Sequence, residues 1–231
     1  MQVYQIRIKL YVLKDIPVER VQEKLAQFID TGFAVSRELL QMHEENRFKY
    51  YCFDSLYPVE KDKVYRQGCI YTVTIRTIER KLADYFYEIC VNHFTEDFKG
   101  LTAEIRILPH KMIEYLYTLT PAVLKENELG YWRKHMSLQR FEERLKINLI
   151  KKWNQFTGEQ VEEDFPLFTV LEFLNVKPVA MNYKTVRLLG DKIRLQITEH
   201  KTSQQLAYMA LGTGVLEMNS RGAGFVNCRW M

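Results

Sequence analysis

Large and polar side chains alternate from Val3 to Val12 (VYQIRIKLYV), the period-two pattern of a half-buried strand. Asp15 and Pro17 then predict a helix start, and Val18, Val21, Leu25 and Phe28 recur at helical spacing. Gly32 interrupts this pattern, and Ser36 is placed to cap a second short helix carrying Leu39, Leu40 and His43. Tyr50 to Phe53 and the β-branched, aromatic run Cys69 to Ile78 predict two more strands. Apolar positions Ile78, Leu82, Phe86 and Ile89 return to helical spacing, and Leu101 to Leu108 alternates again. Strand, helix, strand, strand, helix, strand is the order of a ferredoxin-like split βαβ unit, whose sheet leaves one face open.

The second half repeats that order without repeating the sequence. Ile113 to Leu119 reads as a strand and Tyr131 to Phe156 as a long helix. Strands are predicted at Phe168 to Phe173, Lys184 to Leu189 and Lys192 to Ile197, then a short helix over Ser203 to Met209 and a closing strand from Gly224 to Trp230. The fold class is therefore α+β, two tandem ferredoxin-like (RRM-like) domains, with residues 1–111 and 112–231 as the division. Two such units packed together make a cleft between open sheet faces, a surface that binds RNA in the RNA-recognition class. Neither half carries a clean aromatic RNP motif, so stacking of bases on a sheet is not the expectation here.

Between helix and last strand lies LGTGVLEMNSRGAGFVNCRW, Leu211 to Trp230, with four of the chain's ten glycines in two Gly-x-Gly pairs. The pairs are Gly212 with Gly214 and Gly222 with Gly224. Paired glycines allow close approach to the main chain, successive N–H groups can cradle an anion, and Arg221 adds a positive charge. No Gly-Lys-Ser/Thr ends the segment, which excludes a phosphate-binding P-loop, and no room follows for a βαβ dinucleotide site. A structural glycine hairpin is the plain alternative.

Composition sharpens little except in one helix. The 231 residues are 47% apolar, net charge is only +4, and no apolar run is long enough for a membrane span. From Tyr131 to Trp153, however, seven Lys and Arg residues face only Glu142 and Glu143. Such a helix is either a phosphate-facing surface or a solvated face. Cys52, Cys69, Cys90 and Cys228 lack paired spacing, so reduced thiols in a cytoplasmic protein are the expectation, with neither zinc site nor disulfide framework. Met1 leads directly into the first strand pattern, so no signal peptide is expected.

Three stretches resemble the CRISPR-associated endoribonucleases that cut precursor CRISPR RNA within each repeat, the Cas-six family. LGTGVLEMNSRGAGFV is similar to the family's C-terminal glycine-rich loop, and FKYYCFDSL (Phe48 to Leu56) to its Lys-x-Phe-Thr-Phe-Ser-x-Leu stretch. YRQGCIYTVTIRTI (Tyr65 to Ile78) resembles the strand that follows. The departures are a seven-residue spacer, Val215 to Arg221, small residues at Thr213 and Ala223, and Asp54 where serine is usual. The resemblance implies metal-independent RNA cleavage: the 2′-OH attacks the adjacent phosphate, leaving a 2′,3′-cyclic phosphate and a 5′-OH. It places His43 and Lys49 in the catalytic site, while the tyrosine of some members falls near Phe28, which has no hydroxyl.

That chemistry needs a base near the 2′-oxygen, an acid near the leaving 5′-oxygen and cationic help, roles that histidine, lysine and arginine fill. For His43 the plain alternative is a surface histidine beside Glu44 or Glu45. His93 is expected in the core, His135 on the basic helix, and His110 and His200 at a junction and a turn. Arg221 leads the RNA contacts, followed by Lys151 and Lys152, then Arg140 and Arg144, with the main chain at Gly212, Gly214, Gly222 and Gly224. Repeat RNA is the partner implied; other subunits of a CRISPR effector complex and a second copy of the chain are further candidates. No cofactor, metal or membrane is implied. The competing class is an inactive repeat-RNA-binding subunit.

Overall fold

A computed structural model describes residues 1–45, 47–125, 130–183 and 186–231, without the side chains at positions 38, 42 and 43. Its first half runs β1 (Tyr4–Val12), β2 (Ile16–Pro17), α1 (Val21–Gly32), α2 (Arg37–Glu44), β3 (Tyr51–Phe53), β4 (Val64–Tyr65), β5 (Ile70–Thr77), α3 (Arg80–Glu88) and β6 (Phe98–Ile107). The second runs β7 (Ile113–Thr118), α4 (Leu138–Thr157), β8 (Phe168–Phe173), β9 (Val179–Tyr183), β10 (Val186–Gly190), β11 (Ile193–Ile197), α5 (Lys201–Thr213) and β12 (Val226–Trp230).

Each half closes one antiparallel four-stranded sheet, ordered β3-β5-β1-β6 and β12-β7-β11-β8. Counting strands within each half, both orders put the first strand between the fourth and the third, with the second at the edge. This is the tandem ferredoxin-like arrangement that the alternation predicts. Ile6, Ile8 and Leu10 of β1 are fully buried beneath α1 and α3, while Arg7 and Lys9 point to the open face. Among the described residues no helix is long and apolar enough to cross a membrane.

Local departures from the sequence pattern have identifiable causes. Asp15 does not cap a helix: its carboxylate accepts from Gln67 N at 2.7 Å and pairs with Arg66, and Ile16–Pro17 pairs with β4 instead. Ser36 does cap α2, accepting from Leu39 N at 3.5 Å. The basic helix begins at Leu138, not Tyr131, because Tyr131 and Trp132 both donate to the buried Asp191, each at 2.8 Å. That anchoring draws the turn at Trp132–Lys134 off the helix axis, and Ser137 caps α4 by accepting from Arg140 N. The strand predicted from Lys184 begins at Val186, its first two positions lying outside the described residues, and pairs with the unpredicted β9.

The helix predicted over Ser203 to Met209 extends to Thr213 and is shared by both halves. Leu206 to Thr213 are all buried, and α5 packs on strands of both sheets. A Cβ at Gly212 would stand 2.7 Å from Ile78 and 3.2 Å from the Thr77 main chain, so glycine marks where α5 touches the first sheet. Val3, Tyr50, Ile78 and Leu108 join the core formed by α4, α5 and the second sheet.

Two buried cations reinforce this junction. Arg76 of β5 donates to Gln5 Oε1 (2.9 Å), Val226 O (2.7 Å) and Asn227 Oδ1 (3.3 Å), and lies over the Phe225 ring at 4.7 Å. The acidic partner one expects for a strand arginine is replaced by neutral oxygens of β1 and β12. Lys152 of α4, 2% exposed, donates to Gly214 O (2.9 Å), Leu216 O (3.0 Å) and Asn219 Oδ1 (2.7 Å). Asn219 in turn donates to Val215 O and Ala223 O. The glycine segment is thus folded around one ammonium.

Replacing Arg76 with Met keeps the stem and removes the donor fork, leaving β12 oxygens unfilled. Urea titration should show unfolding free energy lowered by about 2–3 kcal/mol. Burial pushes the Lys152 pKa down to about 7 from its ordinary 10.5. The unfolded chain therefore binds more protons between those two values, and the Lys152 contribution to stability rises with pH across that window. Relative to Lys152→Met, the wild type should gain up to about 1.4 kcal/mol per pH unit above pH 7, with a flat difference below it.

Candidate nucleic-acid interface

The chain between α2 and β3 is bent at Tyr50, whose φ of 52° is unusual for a bulky residue. Its carbonyl accepts from Thr77 Oγ1 at 2.8 Å, and its ring meets Phe156 of α4 edge-on at 5.2 Å. The bend buries Tyr50 and leaves Phe48 and Lys49 half-buried beside it. Lys49 Nζ donates to Glu45 O, at the end of α2, at 2.5 Å. Burial lowers the Lys49 pKa, and the Arg47 and Arg221 cations lower it further.

Facing this stretch is the tip of the glycine segment. Met218, at a φ of 61°, opens a turn over Asn219–Arg221 in which the amides of Asn219 and Ser220 have no internal acceptor among the described residues. Arg221 forms an ion pair with Asp30 of α1, and its guanidinium lies 5.7 Å from the Tyr183 ring on β9. A cavity of about 350 Å³ runs between the two stretches, lined by Arg47, Lys49, Tyr183, Ser220 and Arg221 among others. Two arginines and Lys49 line it beside Glu217, a mainly basic lining of the kind that can take an anion.

Of the predicted site residues, Lys49 and Arg221 meet here. His43 belongs to α2, one residue before that helix ends, but its side chain lies outside the described residues. The four glycines do not present main chain to a ligand. All are buried, and the amides of Gly214, Gly222 and Gly224 bond to Ala210 O, Asn219 O and Pro121 O. A Cβ at Gly224, where φ is 64°, would fall 2.1 Å from Val215 O, so the residue serves close approach of the chain to itself. Lys152 is likewise withdrawn from any phosphate, because its ammonium is enclosed by three internal oxygens.

The remaining basic helix divides by face. Arg140, Arg144 and Lys151 share one side of α4 by helical spacing. Arg144 pairs with Glu217 of the glycine segment at 3.0 Å, while Arg140 and Lys151 are exposed. Lys146 turns to main-chain oxygens of Glu163 and Phe165, and Arg133 pairs with Asp191. His135 is exposed ahead of α4 and not within it. His93 is half-buried against Phe28, with centroids 5.0 Å apart, and 2.9 Å from Thr31 Oγ1. His110 packs on Tyr208, and His200 stacks on Phe165.

Arg47, Tyr183 and Ser220 enter the site without having been singled out. Arg47 and Ser220 adjoin residues that were, whereas Tyr183 depends on a strand with no clear periodicity. A second surface was also missed. Tyr115 and Tyr117 share the open face of the second sheet, 6.0 Å apart, with Arg194 at 5.4 Å from the Tyr115 ring. With Trp230 and Arg229 they line a hollow of about 630 Å³. Two tyrosines two residues apart on a first strand were its available signal.

Known proteins share this fold. The family model described as CRISPR associated protein Cas6, C-terminal, matches residues 104–228. A protein of Methanocaldococcus jannaschii named CRISPR-associated endoribonuclease Cas6 2 is 24% identical, over 96% of this chain and 98% of its own. Among solved structures, one titled as a RAMP protein binding different RNA substrates has a TM-score of 0.72 at 17% identity, covering 98% of this chain and 99% of that one. A Cas6-related structure from Pyrococcus furiosus has a TM-score of 0.71 at 19% identity, covering 98% of both chains. The glycine segment, the second ferredoxin-like unit and the basic helix thus lie within a recognised family signature, and the chain belongs to the Cas6 family.

Proposed function

We propose that the chain is an endoribonuclease that cuts precursor CRISPR RNA within its repeats, without a metal ion, by attack of the ribose 2′-OH on the adjacent phosphate. The observation that supports this best is the meeting of Lys49 with Arg221 and the Ser220 amide across one cavity. The division at residues 1–111 and 112–231 is part of the reading: β6 ends at Ile107, β7 starts at Ile113, and the site draws on both sides. Relatives named as Cas6 endoribonucleases and RNA-binding RAMP proteins point to the same substrate class.

In this mechanism the 2′-oxygen forms a bond to phosphorus as the bond to the 5′-oxygen breaks, giving a 2′,3′-cyclic phosphate and a 5′-OH. His43, carried on α2, takes the proton from the 2′-OH. Lys49, held at the end of that helix by Glu45 O, stabilises the charge that develops on the phosphorane. Its lowered pKa also suits it to give a proton to the leaving oxygen. Arg221 and the turn amides hold a neighbouring phosphate, and exposed Arg140 and Lys151 extend the positive track along α4.

Single-turnover cleavage of the cognate repeat RNA should persist in EDTA and end in a cyclic phosphate. Lys49→Ala should slow that step by roughly 10²–10³-fold with affinity nearly unchanged, and His43→Ala should abolish it; a full rate in either variant removes that residue from the mechanism. Arg221→Ala should instead weaken RNA binding and lower its salt slope by about one, measured by filter binding across ionic strengths.

A further inference from the structure

Beside the cavity holding Lys49 lies a larger one of about 530 Å³, lined by Gln41, Glu45, Arg47, Glu79, Arg80, Lys81, Ile78 and Phe156. Arg47 lines both, and a narrow gap bordered by Lys49, Arg47 and Glu79 shares lining residues with each. Most charges in the larger cavity have partners. Glu45 pairs with Arg47 at 2.9 Å and Arg80 with Asp84 at 2.8 Å. Glu79 differs. Its main-chain N–H is fixed by Thr77 Oγ1 at 3.1 Å, while its half-buried carboxylate has no hydrogen bond or ion pair among the described residues. Burial raises its pKa, and Arg47 and Lys81 oppose that rise. Its oxygens reach the cavity with no donor on them among the described residues, so this wall can accept a pair of N–H groups.

The rest of the cavity indicates what brings them. Phe156 is half-buried and held edge-on against Tyr50, offering aromatic surface beside Glu79. The cations on the rim suit phosphates on either side of a bound base. Of the four RNA bases, guanine alone places two N–H donors, N1–H and the 2-amino group, side by side on its Watson–Crick edge. Adenine and cytosine set one donor beside an acceptor, and uracil flanks its one donor with two acceptors.

Resting on the nuclease reading above, we propose that this cavity is a base-reading subsite that takes a guanine next to the cut, with Glu79 accepting both edge donors and Phe156 packing on the ring. Glu79 is a specificity residue, outside the catalytic set. Its replacement by Gln keeps shape and offers one acceptor and one donor, the complement of the adenine and cytosine edges.

The test uses the full-length protein and a fully randomised RNA pool, with sequencing of cleaved ends and, in parallel, of the protein-bound fraction. Wild type should enrich guanine at one position near the cut. Glu79→Gln should lower cleavage of the guanine substrate by roughly 10- to 100-fold and move the preference to adenine or cytosine. Phe156→Leu should weaken all bases at that position equally. A guanine preference unaltered by Glu79→Gln, or none in wild type, overturns the subsite. If no RNA is cut, the nuclease reading falls, and the bound fraction still decides the subsite: a shift from guanine to adenine or cytosine supports it and indifference overturns it.

Discussion

The glycine-rich segment holds its shape because the Lys152 amine is buried beneath it as a donor. Lys152 donates to three oxygens between Gly214 and Asn219, of which only Gly214 O has a second donor among the described residues, Thr213 Oγ1 at 3.3 Å. A charge at such depth is tolerated only when fully bonded, and once bonded it leaves the surrounding main chain a single arrangement. That arrangement sets the turn at Met218, and the turn decides where Ser220 and Arg221 face. The surface cations therefore depend on a donor buried beneath them.

The site itself is assembled from distant stretches. Lys49 and Arg47 come from the link before β3, Arg221 from the turn before β12, Asp30 from α1 and Tyr183 from the β9–β10 hairpin. The hairpin is tied back to the first half by Asn182 Nδ2, which donates to Glu19 O at 3.1 Å. Asp30 pairs with Arg221, and in the proposed complex a phosphate entering the cavity would compete with that carboxylate for the same guanidinium. Such a pair positions the arginine in advance while tempering its attraction for any passing anion.

Much of the fold was legible because strands of a half-covered sheet alternate, as β1 and β6 do in sequence, and because β5 is rich in β-branched and aromatic residues. What escaped was decided by partners far away in the chain. Asp191 lies about sixty residues from Tyr131 and Trp132, so nothing near those residues shows that they leave the helix. Gly212 and Gly224 were visible as glycines, yet composition does not tell close approach to a ligand from close approach to the chain's own backbone. Lys152 is different: it falls on the stripe of Phe141, Leu145, Leu149 and Phe156, so helical spacing already set it inward, against the apparent logic of a basic run. In the site, Lys49 and Arg221 were legible from motif position. Tyr183 was not, because β9 is short and half-buried on both faces.

Helix α5 has a consequence for how this architecture can change. Two copies of one topology suggest modules that could be exchanged or expressed alone. Here Val3, Tyr50, Ile78 and Leu108 line the interior of the other copy, and α5 touches strands of both. Cutting between the copies would expose apolar surface on each, so recombination that swaps one without its matched neighbour meets a mismatched seam. Variation is left to the parts outside that seam, the α2 end, the β9–β10 hairpin and the outer face of α4, which also surround the proposed RNA path.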